Sequence, residues 1–142
     1  MTRGRCAGFA LAALLALPAL AEEPPVEFLR DFVAGTYTLV GRAADSDATY
    51  SGTVRIAPGA PELVVTRELA GGTVSGAGAI ESATADAVPV LRVRFREGDT
   101  AWEATYLIAG DLDNRARLSG YLYRTDGSTK VTGLETLFAD TP

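Results

Sequence analysis

The chain of 142 residues contains no histidine, and its one cysteine is Cys6. Without histidine there is no Ser-His-Asp machinery, no imidazole for general acid–base work and no His-ligated zinc. Cys6 precedes the apolar run Ala7–Leu20. A lipoprotein cysteine would follow such a run, so Cys6 is not expected to carry a lipid. If the run is removed, Cys6 goes with it, and thiol nucleophiles, thiolate metal sites and disulfides go too. Also missing are a Gly-Lys-Ser/Thr phosphate loop, a dinucleotide fingerprint and any sustained helical period in the remainder of the chain. These absences point away from catalysis and from parallel βαβ architecture.

The N-terminus reads as an export signal. Arg3 and Arg5 form a basic lead, Ala7–Leu20 is apolar, and Ala19-Leu20-Ala21 fits a small-x-small cleavage site. The expectation is a signal peptide over residues 1–21, a mature start at Glu22, and a periplasmic or secreted protein. The run falls short of the roughly 20 residues a membrane span needs, so no stable span is expected after cleavage; the alternative reading is a helix anchored in the inner membrane. Losing Arg3 and Arg5 takes the net charge from −5 to about −7. So acidic a domain is a poor general binder of nucleic acid or anionic lipid. Arg92, Arg94 and Arg96 alternate with Leu91, Val93 and Phe95, which reads as the wet face of one strand.

What is present is a repeated period of two. In Thr100–Gly110 the residues Trp102, Ala104, Tyr106 and Ile108 fall on one face, with Glu103 and Thr105 between them. Similar runs, each bounded by turn signals, predict strands over 35–41, 49–56, 62–69, 73–82, 88–96, 100–110, 116–124 and 129–138. Pro58-Gly59-Ala60-Pro61, Glu97-Gly98-Asp99 and Asp126-Gly127 are the clearest turns. Residues 22–34 form a lead-in and a short helix in which Phe28, Leu29 and Phe32 share a face able to plug one barrel end. Residues 139–142 are a tail. The predicted fold is all-β: an eight-stranded antiparallel up-and-down barrel over 35–138, closed so that no edge strand is left open. Gly52, Gly76, Gly78, Gly120 and Gly133 inside strands suit the sharp coiling of a small barrel.

Two charged residues break the pattern. Arg67 shares a face with Leu63, Val65 and Leu69; Glu135 shares one with Val131, Gly133 and Leu137. If those faces point inward, each charge needs a partner, because an unpaired buried charge is too costly to keep. One reading is a salt bridge closing a barrel end. The other makes them polar anchors of a ligand pocket, with Tyr50, Trp102 and Tyr106 as further ligand-binding candidates. Trp102 is expected to be buried in the barrel wall. Asp111, Asp113 and Asn114, like Asp45 and Asp47, are read as turn residues, since the bidentate Glu of a calcium loop is missing. No catalytic residue, metal ligand or cofactor is assigned.

Gly35-Thr36-Tyr37 opening the first strand after a short helix resembles the start of calycin barrels, the lipocalin-like and avidin-like group. Tyr50-Ser51-Gly52-Thr53-Val54-Arg55-Ile56, Gly76-Ala77-Gly78 and Gly133-Leu134-Glu135 are similar to strands of small exported bacterial domains of unassigned function. The barrel architecture, by analogy alone, suggests a domain that holds a small apolar ligand. The first-strand tryptophan of lipocalins is replaced here by Tyr37. An alternative is an envelope protein-interaction or inhibitor module with a filled core. Ser75-Gly76-Ala77-Gly78 resembles the Ser-Gly-x-Gly loop of periplasmic lysozyme inhibitors, although their cysteines and following aromatic are lacking. Tyr121 and Tyr123 would suit its contact surface. A cavity of about 300 Å³ or more would favour a ligand, and a packed interior a surface-acting module.

Overall fold

The computed structural model describes residues 24–140; the expected leader and cleavage site lie outside them. Eight strands follow one short helix: α1 Val26–Val33, β1 Gly35–Arg42, β2 Thr49–Ala57, β3 Leu63–Leu69, β4 Gly72–Ala83, β5 Val88–Glu97, β6 Thr100–Gly110, β7 Ala116–Arg124 and β8 Gly133–Ala139. Each strand pairs antiparallel with the next, and β8 pairs with β1 to close the barrel. Closure leaves no unpaired strand edge, which is the physical reason an eight-stranded meander curls up.

The period of two decides what lies inside. Tyr37 and Leu39, Val54 and Ile56, Leu63 and Val65, Leu91 and Val93, Ala104 and Tyr106, Leu118, and Leu137 point inward and form one cluster. Each large apolar side chain buried there contributes about 1.5–3 kcal/mol. On the outer wall, Arg92 and Arg94 of β5 lie between Glu81 of β4 and Glu103 of β6 in a four-charge network, with contacts of 2.7–3.6 Å. That is the wet face expected of the arginine run.

Connections alternate between the two barrel ends. One end carries α1, which buries Leu29 and Val33 against the core. Tyr37 donates its hydroxyl hydrogen to Val33 O at 2.7 Å, and Arg30 donates to Pro61 O and Gly59 O, so the helix is tied to the β2–β3 loop. The helix does stop this end, but Phe28 is not part of the seal. It is exposed and stacks on Phe32, while Val33 takes the buried position.

The largest departure from expectation is at β8, which starts at Gly133 rather than Thr129. Asp45, with φ 55°, accepts the N–H groups of Lys130 and Val131 on one carboxylate oxygen and Arg124 on the other. Those bonds hold residues 129–132 in a loop, and Val131 is exposed rather than on the inner face. No helix among the described residues is long and apolar enough to cross a membrane.

Candidate functional site

The end opposite α1 is open, and the inward charges stand beneath it. Arg67 on β3 and Glu135 on β8 each keep only 2% of their surface exposed. They meet across the barrel in a bidentate pair: Arg67 Nη2 lies 2.5 Å from Glu135 Oε1, and Nη1 lies 3.1 Å from Oε2. Tyr50 donates to Oε1 at 2.5 Å, and Tyr106 donates to Oε2 while accepting from Arg67 Nη1 at 3.2 Å. Four donors thus saturate the Glu135 carboxylate. The Arg67 guanidinium also lies 4.4 Å above the ring of Phe95.

The sequence makes room for this cluster with two glycines. Gly41 on β1 and Gly120 on β7 are the direct cross-strand partners of Glu135. Gly41 is also the partner of Tyr50, and Gly120 of Tyr106. A Cβ at Gly41 would stand 2.7 Å from Tyr50 Cζ. The absent side chain at Gly41 leaves room for the Tyr50 ring, whereas a Cβ at Gly120 would meet the Thr105 backbone carbonyl.

Burial pushes the Glu135 carboxyl up, but the hydrogen bonds and charge of Arg67, with those of Tyr106 and Tyr50, hold it below the usual carboxylate range. Burial and the neighbouring Glu135 charge push the Tyr106 and Tyr50 hydroxyls well above their ordinary value. The pair is therefore ionised and both tyrosines are neutral at ordinary pH. With its acceptor sites filled and its proton lost, Glu135 is not poised to take or give a proton.

Above the pair is a recess of about 340 Å³ in the barrel mouth, walled by Tyr50, Leu69, Phe95, Trp102, Leu122 and Arg124, with Arg67 and Glu97 also lining it. A wider groove of about 760 Å³ runs outward beside the β3–β4 and β5–β6 turns and shares Tyr50, Arg67, Leu69 and Glu97 with the recess. A third depression, of about 550 Å³, lies at Arg42, Asp45, Asp47 and Lys130. There Asp45 accepts the backbone N–H of Lys130, and Arg42 approaches Asp47 at 3.9 Å.

All five residues picked out from the sequence, Arg67, Glu135, Tyr50, Trp102 and Tyr106, point into the barrel. Arg67, Glu135, Tyr50 and Tyr106 form one bonded cluster. Trp102 stands apart, half-buried at the mouth rather than buried in the wall, with the Arg124 guanidinium 5.0 Å from its ring. Sequence reasoning passed over Glu97 and Arg124. Carrying the alternation one step beyond Phe95 and Leu122 reaches both. The Asp111–Asn114 segment is a turn: Asp111 and Asp113 accept the N–H groups of Leu112 and Arg115. Among the described residues no group of three or more His, Cys, Asp or Glu is placed to hold a metal ion.

No protein-family model matches the chain, and no curated protein matches it. The closed eight-stranded antiparallel barrel is compatible with a calycin architecture, and that likeness is one of fold alone.

Proposed function

We propose that this is an exported, non-catalytic binding barrel of calycin type that takes a small, largely apolar ligand into its mouth. The observation that carries the reading is the division of the interior. The half next to α1 is packed with side chains, whereas the other half opens into a recess of about 340 Å³ with aromatic walls and the buried Arg67 among its lining. Ligand sites are concave, mostly apolar and furnished with a few fixed polar groups. The saturated Glu135 supports a holding rather than a reacting site. Export to the periplasm or medium is part of the proposal and rests on residues 1–21.

A titration with the neutral dye N-phenyl-1-naphthylamine, followed by tryptophan fluorescence, tests the binding reading. Saturable one-to-one binding is expected, and because Ala44 also lines the recess, Ala44→Phe should crowd it and weaken binding at least tenfold. Equal binding by that variant, or none by the parent protein, rules the reading out. The mass of the native protein's N-terminal peptide tests export: it should begin at Glu22.

One observation favours a second reading, an envelope interaction module. Val40, Leu107, Tyr121, Leu134 and Phe138 are exposed on the outer wall of β6, β7, β8 and β1, and Tyr121 is the direct cross-strand partner of Leu134. Tyr123 does not join this surface; it donates to Glu103 at 2.6 Å. Cross-linking to an envelope protein that survives Ala44→Phe but is lost in Tyr121→Glu would favour it.

A further inference from the structure

We infer that the mouth recess selects an uncharged, flat, apolar molecule bearing one hydrogen-bond acceptor, such as an aryl ketone, over its carboxylate counterpart. This rests on the binding reading above and specifies the ligand's chemistry. Two donors carry it. Of the four buried side-chain N–H donors without an acceptor among the described residues, Arg42 Nε, Arg67 Nε, Arg92 Nε and Trp102 Nε1, those of Arg67 and Trp102 belong to residues that line the recess. Buried N–H groups are rarely left unpaired, and each is satisfied when an acceptor arrives. Both atoms are shielded from solvent, so an acceptor entering the recess reaches them as the Arg67 or Trp102 side chain shifts toward it.

The charge of that acceptor follows from what Arg67 already holds. Its Nη1 and Nη2 atoms are taken by Glu135 in a bidentate pair, the geometry in which an arginine would grip a ligand carboxylate. The protein's own carboxylate fills that role. Arg124, the other cation of the recess, is bonded to Asp45 at 2.7 Å, and Glu97 adds a negative wall. Arg96, at the outer groove, donates to the Asp99 carbonyl. An incoming anion would be desolvated beside Glu97, while both cations that line the recess, Arg67 and Arg124, already hold carboxylates of the protein. A neutral carbonyl oxygen avoids that penalty and can accept from Nε–H or the indole N–H.

The body of the ligand follows from the walls. Phe95 and Trp102 are direct cross-strand partners, and Leu69 and Leu122 complete an apolar lining. Flat rings stack favourably on such surfaces. The volume lies at the small end of the range for ligand pockets.

Three matched probes test the inference on the folded protein: naphthalene, 2-acetonaphthone and 2-naphthoate. The single tryptophan gives a single indole N–H resonance. The expected result is at least tenfold tighter binding of 2-acetonaphthone than of either other probe. A downfield shift of the indole or Arg67 Nε–H resonance should accompany the ketone and be absent with naphthalene. Trp102→Phe should reduce the ketone's advantage over naphthalene at least threefold. If naphthalene matches the ketone, or 2-naphthoate binds as tightly, the selection proposed here is wrong while the binding reading stands. If none of the three binds saturably, both fall.

Discussion

Glu135 accepts from Arg67, Tyr50 and Tyr106 in a space that excludes water, and that makes it the residue whose loss should be felt most. Glu135→Leu alone strands the Arg67 cation and should cost about 3–5 kcal/mol in urea unfolding. Arg67→Met together with Glu135→Leu should cost far less, because two apolar groups need no partner. Additive single losses would show that the two residues do not act as a pair. Both were legible in the sequence, because each is a lone charge in an otherwise apolar alternation. The same period placed Tyr50 and Tyr106 inside. It could not place Trp102 correctly, because alternation reports which face a side chain takes and not how far along the barrel axis it stands. Trp102 is only the third residue of β6 after the β5–β6 turn and so meets the open mouth rather than the core.

Between strands, the ion-pair cluster depends on what β1 and β7 omit. Gly41→Ala would press on the outer end of the Tyr50 ring, which can swing aside at the expense of its bond to Glu135. Gly120→Ala would drive a methyl group into the backbone carbonyl of Thr105, which cannot move without breaking the β6–β7 ladder. Gly120→Ala should therefore be the more destabilising, with Gly41→Ala costing about 1–3 kcal/mol as an overpacked site. Chemical denaturation of both variants checks the order; equal losses would contradict it. Strand positions were readable because turn chemistry punctuates them: Pro58-Gly59, Gly98-Asp99 and Asp126-Gly127 all fall in connections. The start of β8 was not readable. Thr129–Thr132 have strand-like residues, but the group that withholds them from the sheet is Asp45, 85 residues away from Lys130. No local pattern contains that contact.

At the scale of the whole molecule, the lack of histidine removes the side chain that ordinarily titrates between pH 5 and 8, so stability should be flat across that interval. On the acid side, Glu135, Asp45 and Glu81 have lowered folded values. Groups with depressed folded pKa stabilise above their unfolded values, near 4, and the benefit is lost as pH falls through the folded ones. On the alkaline side, burial raises Tyr37 to about 12, and Tyr50 and Tyr106 also shift upward. Their contribution is complete below about pH 10 and disappears as pH rises through the folded values. A thermal-melt series should show a plateau with a decline below about pH 4 and another above about pH 10; a step near pH 6.5 would be inconsistent with it. The barrel's closure has a further effect, on kinetics. Every strand pairing except β1–β8 joins neighbours in the chain, so most of the wall can assemble by local zipping, while the last seam must wait for distant segments to meet. The Arg67–Glu135 contact spans 68 residues and needs that seam. It should thus form after the rate-limiting barrier: Glu135→Gln should hasten unfolding while leaving the refolding rate nearly unchanged, the signature of a clasp that fastens last and sets how long the barrel stays shut.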